Sequence, residues 1–166
     1  MLFRPTQQED IPAVMGIVRQ AQAYLKSQGI DQWQNGYPNG EVIAQDIAAG
    51  ESYVLLKDGQ VVGTTVISFR PEKNYEVIYE GNWLSDAPCA VIHRICVDDA
   101  LKGQGLSGRM IAEAEAQCQQ RGVTSIKVDT HRKNLSMQRL LEKHGFARCG
   151  IIYSDDGERI AFEKIL

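Results

Sequence analysis

The chain has 166 residues, enough to bury one substantial core, and we expect a single domain spanning residues 1–166. Its formal net charge of −3 excludes a general electrostatic attraction to nucleic acid or to an anionic membrane surface. Hydrophobic residues make up 43% and charged residues 23%, which is ordinary for a globular protein, and no apolar run is long enough to span a membrane.

The cysteines and histidines carry no recognisable metal or disulfide pattern. The four cysteines form no C-x-x-C pair, and the three histidines are scattered along the chain. We therefore expect reduced thiols, a cytoplasmic location and no metal site.

The first quarter of the chain predicts a strand, two helices and a loop. Residues 2–4 form a short strand, and Thr6 and Glu9 have the spacing of a capping box at the start of a helix that ends before Gly29. Residues 30–40, rich in turn formers, predict a loop, and residues 41–49 predict a second helix.

The middle of the chain predicts three strands. Two β-rich runs flank Asp58 and Gly59, a strong signal for a hairpin. Residues 70–88 are irregular. Residues 89–97 then form a nearly continuous apolar run, which predicts a strand buried on both faces.

The last third predicts two helices and three strands. A helix follows residues 102–108, with Leu106, Met110, Ile111, Ala114 and Cys118 along one face. Residues 124–130 form a strand, Asn134 caps a further helix, and a hairpin closes the chain. The order β-α-α-β-β-β-α-β-α-β-β predicts a mixed α/β (α+β) domain.

The stretch KGQGLSG, residues 102–108, has two functional interpretations. Gly103, Gly105 and Gly108 fit the G-x-G-x-x-G spacing of a dinucleotide-binding turn, and Asp129 lies 21 residues beyond Gly108. Five residues, however, separate Val97 from Gly103, and the predicted elements cannot complete a doubly wound sheet. These features disfavour a dinucleotide site, and from the residues alone a tight strand-to-helix turn and a pyrophosphate loop for acyl-CoA both stay open.

The stretch from Val91 to Tyr153 resembles the GNAT family, the GCN5-related N-acetyltransferases. An apolar-x-Val strand end at residues 95–97, a five-residue connection and the GQGLS sequence match the family's R/Q-x-x-G-x-G/A pyrophosphate loop, with Lys102 and Ser107 as departures. The run NLSMQRLLEKHGF, residues 134–146, matches a second family motif. The resemblance implies a largely antiparallel central sheet with a splayed parallel strand pair and flanking helices.

The resemblance also implies acetyl-CoA as cosubstrate and assigns the residues that bind it. The pantetheine arm would run along the strand of Ile95, Cys96 and Val97, and a backbone N–H near Cys96 and Val97 would polarise the thioester carbonyl. The pyrophosphate would be held by a loop whose residues are Lys102, Gly103, Gln104, Gly105, Leu106 and Ser107. Asn134 would hydrogen-bond the CoA arm as well as cap its helix.

For catalysis, the resemblance implies direct attack by a primary amine in a ternary complex. His93 is the candidate general base, since strand alternation places it with Ile95 and Val97, and a core histidine bonded to backbone is the alternative. Leu141 stands where many members have an acid Tyr, so Tyr153, Ser136 or a water is the candidate acid. Cys96 is expected to pack rather than to act as a nucleophile.

The acceptor is a small-molecule or peptide amine that the sequence does not name. Trp33 and Tyr37 would contact it from the loop at residues 30–40, or would instead plug the sheet, and His131 would reach it or lie in a solvated turn. A non-catalytic acyl-CoA-binding sensor or interaction module is the alternative function, and a homodimer is compatible with the family.

Overall fold

The computed structural model describes all 166 residues, and its elements follow the predicted order. The elements are β1 (Leu2–Pro5), α1 (Ile11–Ser27), α2 (Gly40–Ala48), β2 (Ser52–Lys57), β3 (Gln60–Ser68), β4 (Ala90–Val97), α3 (Leu106–Arg121), β5 (Ser125–Thr130), α4 (Leu135–Lys143), β6 (Ala147–Ser154) and β7 (Gly157–Ile165). Seven strands, one parallel pair among them, and four helices confirm the mixed α/β class. None of the helices combines the length and the apolar character needed to cross a membrane.

The chain divides into two compact units. Residues 1–67 and 93–110 form the first unit, and residues 68–92 and 111–166 form the second. The expectation of one domain over residues 1–166 stays a prediction.

In the first unit, an antiparallel sheet has helices on both faces. β1 pairs with β2 and β2 with β3. On one face, Val54 and Leu56 of β2 pack with α1, α2 and Cys96 of β4. On the other face, Leu55 packs with the start of α3. Since successive strand residues point to opposite faces, each strand supplies both cores.

The hairpin between β2 and β3 turns at the two residues that the sequence indicates. Asp58 and Gly59 both have positive φ, 50° and 78°, and Lys57 pairs with Gln60 across the turn. Two consecutive left-handed residues define a type I′ turn, whose twist matches that of the strands it joins.

The capping box predicted at Thr6 and Glu9 is wrong. A 3₁₀ turn at Gln8–Asp10 precedes α1, and the Asp10 carboxylate accepts from the Gln7 backbone N–H at 2.7 Å. The Thr6 hydroxyl instead hydrogen-bonds the Ser52 hydroxyl at 2.7 Å, because Thr6 continues the edge formed by β1.

In the second unit, the strands lie in the order β4-β5-β7-β6. The parallel β4–β5 pair is registered only at Ala90 with Ile126 and at Val91 with Lys127. β5 pairs with β7 over its whole length, and β7 pairs with β6. A core that includes Tyr75, Val91 and Ile152 covers one face.

The two later helices differ in the kinds of residue that they bury. All five apolar residues expected on one face of α3 are at most 3% exposed, as predicted. In α4 the buried residues are Gln138 and Leu141, whereas Met137, Leu140 and His144 are only partly buried. Gln138 tolerates burial because its amide donates to the carbonyls of His131 and Arg132.

Substitution of two glycines in the first unit by alanine should change the free energy of unfolding in opposite directions. Gly16 lies inside α1, its added Cβ would meet no atom within 4 Å, and Gly16→Ala should stabilise the protein by about 0.5–1 kcal/mol. Gly59→Ala should destabilise it by about 1–2 kcal/mol, because Gly59 has a φ of +78°. Urea unfolding midpoints measure both, and two shifts of the same sign would contradict the prediction.

Candidate functional site

The loop between β4 and α3 is built on two glycines in the left-handed region. Gly103 and Gly105 each have a φ of 79°, and an added Cβ at either position would meet no atom within 4 Å. Backbone conformation, rather than lack of space, therefore requires glycine here. The loop residues 102–105 are exposed to solvent.

The start of α3 presents backbone donors to whatever lies at this loop. Arg109 N–H donates to Gly105 O at 3.1 Å, which makes this the first bond of the helix. The N–H groups of Leu106, Ser107 and Gly108 precede that bond and have no acceptor within the helix. Such donors at a helix N-terminus suit an anion with several oxygens, such as a pyrophosphate.

The first turn of α3 is fixed by burial. Leu106 is 3% exposed and Met110 is 1% exposed, and both pack with Leu55 and Val62. Gly63 permits this close packing, because an added Cβ would lie 3.1 Å from the Met110 terminal methyl carbon. The loop donors are therefore attached to a rigid base.

Lys102 is held by α1 and by its own turn. Its Nζ lies 2.7 Å from Asp99 Oδ1 and 4.2 Å from the centroid of the Tyr24 ring. Asp99 N–H donates to the Gln20 side chain at 2.8 Å. The ammonium thus stays at the loop, half-exposed, with one carboxylate opposing its charge.

The end of β4 places Cys96 on one face of the sheet and Ile95 and Val97 on the other. Ile95 and Val97 pack against the cluster of Leu106 and Met110. Cys96 is 8% exposed in the cluster with α1 and α2, and burial raises the pKa of its thiol from 9.0 to about 12. At neutral pH Cys96 is a thiol, which suits packing and not nucleophilic attack.

His93 is half-buried in β4. The next residue, Arg94, departs from the extended backbone that regular side-chain alternation requires. Arg94 has a φ of 49°, in the left-handed region. That conformation costs a non-glycine residue about 1–2 kcal/mol and interrupts the regular alternation of side chains. The shared face of His93, Ile95 and Val97, which assumes an extended backbone, and the role of His93 as a base stay predictions.

An ion pair with Asp46 holds Arg94 in place. Arg94 Nε and Nη2 donate to the two Asp46 carboxylate oxygens at 3.0 and 2.7 Å, and Nη1 donates to the Tyr37 hydroxyl at 2.6 Å. The paired side chains are 14% and 12% exposed. Burial raises the pKa of Asp46 above its ordinary value, while the Arg94 guanidinium opposes that rise. Removal of one member of so buried a pair costs about 3–5 kcal/mol.

The loop at residues 30–40 is tied to α1, and its two aromatic residues have different environments. The Gln22 amide donates to the carbonyls of Tyr37 and Pro38, and the Gln34 amide donates to Gln22 O. Trp33 is half-buried against the α1–α2 core, whereas Tyr37 is 37% exposed. Trp33 thus packs partly against this core, and Tyr37 combines an exposed ring with a hydrogen bond from Arg94.

In the second unit, Asn134 caps α4 as predicted. Its Oδ1 accepts from Met137 N–H at 3.2 Å, which leaves the amide NH₂ available to a ligand. His131 shapes the preceding turn, since its Nδ1 accepts from Lys133 N–H at 3.0 Å. Tyr153 is 53% exposed and meets Tyr79 edge-on at 5.4 Å.

Comparison with known proteins identifies the family. The model of the acetyltransferase (GNAT) family matches residues 19–146. The chain belongs to the GNAT acetyltransferase family. Among curated proteins, no sequence matches it significantly.

Solved GNAT structures share its fold. A GNAT acetyltransferase from Streptococcus agalactiae 2603 is 34% identical, with a TM-score of 0.86 over 99% of this chain and 95% of that one. The PaiA N-acetyltransferase from Thermoplasma acidophilum, solved with coenzyme A, is 15% identical, with a TM-score of 0.75 over 99% and 98%. A ribosomal-protein-alanine N-acetyltransferase from Brucella melitensis is 20% identical, with a TM-score of 0.69 over the full length of both chains.

The family assignment agrees with what Asp129 does. The dinucleotide interpretation needs Asp129 as a ribose acceptor, but its Oδ2 accepts from the buried Tyr75 hydroxyl at 2.6 Å. As a member of the GNAT family, this protein is an acetyl-CoA-dependent N-acetyltransferase.

Sequence reasoning missed Arg94 and Asp46. One signal was available, because Arg94 is a charged residue within the apolar run at residues 89–97. A second was the acid at position 46, in the last turn of a predicted helix, where the helix dipole disfavours a negative charge. Neither signal names the partner, since the two residues are 48 positions apart.

The raised thiol pKa values predict low cysteine reactivity. Burial raises the pKa of all four cysteines, that of Cys118 to about 11. Disulfide-exchange reagents at pH 8 should therefore modify the native protein slowly, with the half-buried Cys89 first. Denatured protein, the control, should release four equivalents.

The same pKa shift gives a pH dependence of stability. Cys96 keeps its proton in the folded state up to about pH 12, whereas it ionises near 9.0 when unfolded. Unfolding then releases a proton, so this contribution to stability is complete below pH 9 and falls as pH rises from 9 to 12. Rapid modification of Cys96 at pH 8 in native protein, mapped by peptide mass spectrometry, would contradict both expectations.

Proposed function

We propose that this GNAT acetyltransferase moves acetyl from acetyl-CoA to a primary amine by direct attack in a ternary complex. The observation that carries the proposal is the loop of residues 102–107. Two left-handed glycines there lead into a helix whose first N–H groups have no helical acceptor, beside the buried end of β4.

The residues present fit acetyl-CoA, which supplies an activated acetyl group and a thiolate leaving group. The backbone of Gly103, Gln104, Gly105, Leu106 and Ser107 would donate to the pyrophosphate, with the Lys102 ammonium as counter-charge. The free amide of Asn134 would donate to the CoA arm. Ser107 would add a hydroxyl donor that the usual small residue lacks.

The end of β4 would orient the thioester. Backbone groups of Ile95, Cys96 and Val97 would line the pantetheine arm, and one N–H near Cys96 and Val97 would stabilise the charge that develops on the carbonyl oxygen. The Cys96 side chain takes no part, because its proton stays on sulfur at neutral pH.

Proton transfer would involve a base for the amine and an acid for the thiolate. The incoming amine must lose a proton, since an alkylammonium has a pKa near 10, about that of free Lys, and His93 would accept it directly or through water. Leu141, which replaces the usual Tyr acid, is 1% exposed and has no proton to give. Tyr153, Ser136 or water would serve the thiolate instead.

The acceptor would be a small-molecule or peptide amine. Tyr37 offers an exposed aromatic ring in the loop at residues 30–40, while Trp33 supports that loop from below. His131 would contribute through its ring edge. The structural likeness to a ribosomal-protein-alanine N-acetyltransferase, at 20% identity, keeps a peptide N-terminus among the acceptors to be assayed. A cytoplasmic location and a homodimer remain predictions.

Ligand binding tests the loop. Acetyl-CoA should raise the melting temperature in proportion to RT ln(1 + [L]/Kd), whereas NAD(H) should not. Gly103→Ala and Gly105→Ala should weaken acetyl-CoA binding, because a side chain at φ +79° drives the backbone N–H groups out of alignment. Gly29→Ala is the control, with a φ of +68° and open space but no place in the loop. Equal affinity losses in all three variants would refute the assignment.

Turnover tests the base. Thiol release from acetyl-CoA across a panel of amines separates an enzyme from a non-catalytic acyl-CoA sensor. With an active amine, His93→Ala should lower kcat/KM steeply near pH 7 and less at high pH, where solution already deprotonates the amine. A pH–rate profile parallel to that of the wild type would exclude His93 as the base.

A further inference from the structure

Within β4, a departure from regular strand geometry lies where the reacting groups are proposed to meet. Arg94, at a φ of 49°, separates His93 from Ile95 and the rest of β4. On the side of Arg94 towards the start of β4, His93 O accepts from the Thr65 hydroxyl at 3.5 Å. A left-handed residue within a strand persists only where its surroundings impose it.

Side chains from two other elements impose it. Asp46, in the last turn of α2, accepts from the Arg94 guanidinium with both carboxylate oxygens. The Tyr37 hydroxyl accepts from the third guanidinium nitrogen, Nη1. The Tyr37 ring also lies 5.9 Å from the guanidinium carbon. An acid is locally disfavoured at a helix C-terminus, so Asp46 is explained by its partner in β4 and not by its own helix.

The same three residues join the loop at residues 30–40 to β4. Gln22 of α1 donates to the carbonyls of Tyr37 and Pro38, which fixes the backbone from which the Tyr37 hydroxyl reaches Arg94. A planar, bidentate guanidinium–carboxylate pair allows little angular freedom. Displacement of α2 or of this loop would therefore be transmitted to the β4 backbone.

We propose that Asp46, Arg94 and Tyr37 are positioning residues for acetyl transfer, which hold the β4 backbone in the left-handed conformation between the candidate base and the thioester-binding segment. The proposal rests on the proposed function. In this role the three residues act through the β4 backbone and not on acetyl-CoA, so they affect kcat and leave acetyl-CoA affinity largely unchanged. Misplacement of reacting groups by about 1 Å is enough to slow transfer substantially.

A matched pair of variants separates positioning from stability. Arg4 and Asp10 form another bidentate pair in the same unit, at 2.7 and 3.1 Å, with side chains 25% and 11% exposed. Asp46→Asn and Asp10→Asn should both lower the melting temperature. Only Asp46→Asn should lower kcat, by about ten-fold or more, with little change in KM for acetyl-CoA. If Asp46→Asn does not fold, Tyr37→Phe replaces it as the test. This variant removes one hydroxyl and should also lower kcat.

A second comparison separates the effect of the backbone conformation at residue 94 from the effect of the ion pair. The double variants Asp46→Asn/Arg94→Gly and Asp46→Asn/Arg94→Ala both lack the ion pair and leave no unpaired charge. Glycine adopts the left-handed region freely and alanine does not, so the glycine variant should retain about five-fold more kcat. Glycine should also fold more stably than alanine at this φ, so kcat is compared at a temperature at which the melting curves show both variants fully folded.

The outcomes distinguish the positioning role from the proposed acetyltransferase function on which it rests. Wild-type protein that releases no CoA thiol with any amine overturns both. Normal wild-type turnover with equal kcat in the Asp46→Asn and Asp10→Asn variants overturns only the positioning role, as does a parallel rise in KM for acetyl-CoA. Selective loss of kcat, with the glycine double variant above the alanine one, supports it.

Discussion

The burial of Leu106 and Met110 against β2 and β3 is the constraint on which the rest of the site depends. Both side chains are nearly inaccessible, and the absence of a Cβ at Gly63 lets Met110 approach the sheet. This contact fixes the first turn of α3, and with it the direction of the N–H groups that precede Arg109. Because the same cluster includes Ile95 and Val97, it also fixes the end of β4 beside the loop. One apolar contact thus orients the anion donors and the strand segment together.

Two charged residues of the first unit, Lys102 and Arg94, are each restrained by a carboxylate and an aromatic ring. Lys102 is restrained by Asp99 and Tyr24, and Arg94 by Asp46 and Tyr37. An exposed ion pair contributes little to folding free energy, about 0–1 kcal/mol, but the Arg94–Asp46 pair is mostly buried and holds Arg94 at its strained φ. Contacts from α2 and from the loop at residues 30–40 offset the free-energy cost of the left-handed conformation at Arg94. Strain held in this way is typical of functional segments.

The sequence predicted the fold well, because its signals are local. Glycines after helices, Asp58-Gly59 between β-rich runs and the apolar face of α3 each specify geometry within a few residues. The two glycines of the loop were identified on the same basis. Thr6 was misassigned because its partner, Ser52, comes from a different strand.

The site was predictable only in part, for the same reason. The alternation that placed His93 assumes an extended backbone, and no local pattern reveals that Arg94 adopts a φ of 49°. That conformation depends on Asp46 and Tyr37, which lie 48 and 57 positions away along the chain. Tertiary contacts of this separation leave only indirect traces in sequence, such as a charged residue in an apolar strand.

The most direct test of acetyl transfer in a ternary complex is a matrix of initial velocities in which acetyl-CoA and an active amine are both varied. Direct attack requires both substrates to be bound before any product leaves, so double-reciprocal plots should give intersecting lines. A covalent acetyl-enzyme would give the parallel lines of a ping-pong reaction. Parallel lines, or CoA release that does not depend on the amine, would contradict direct transfer.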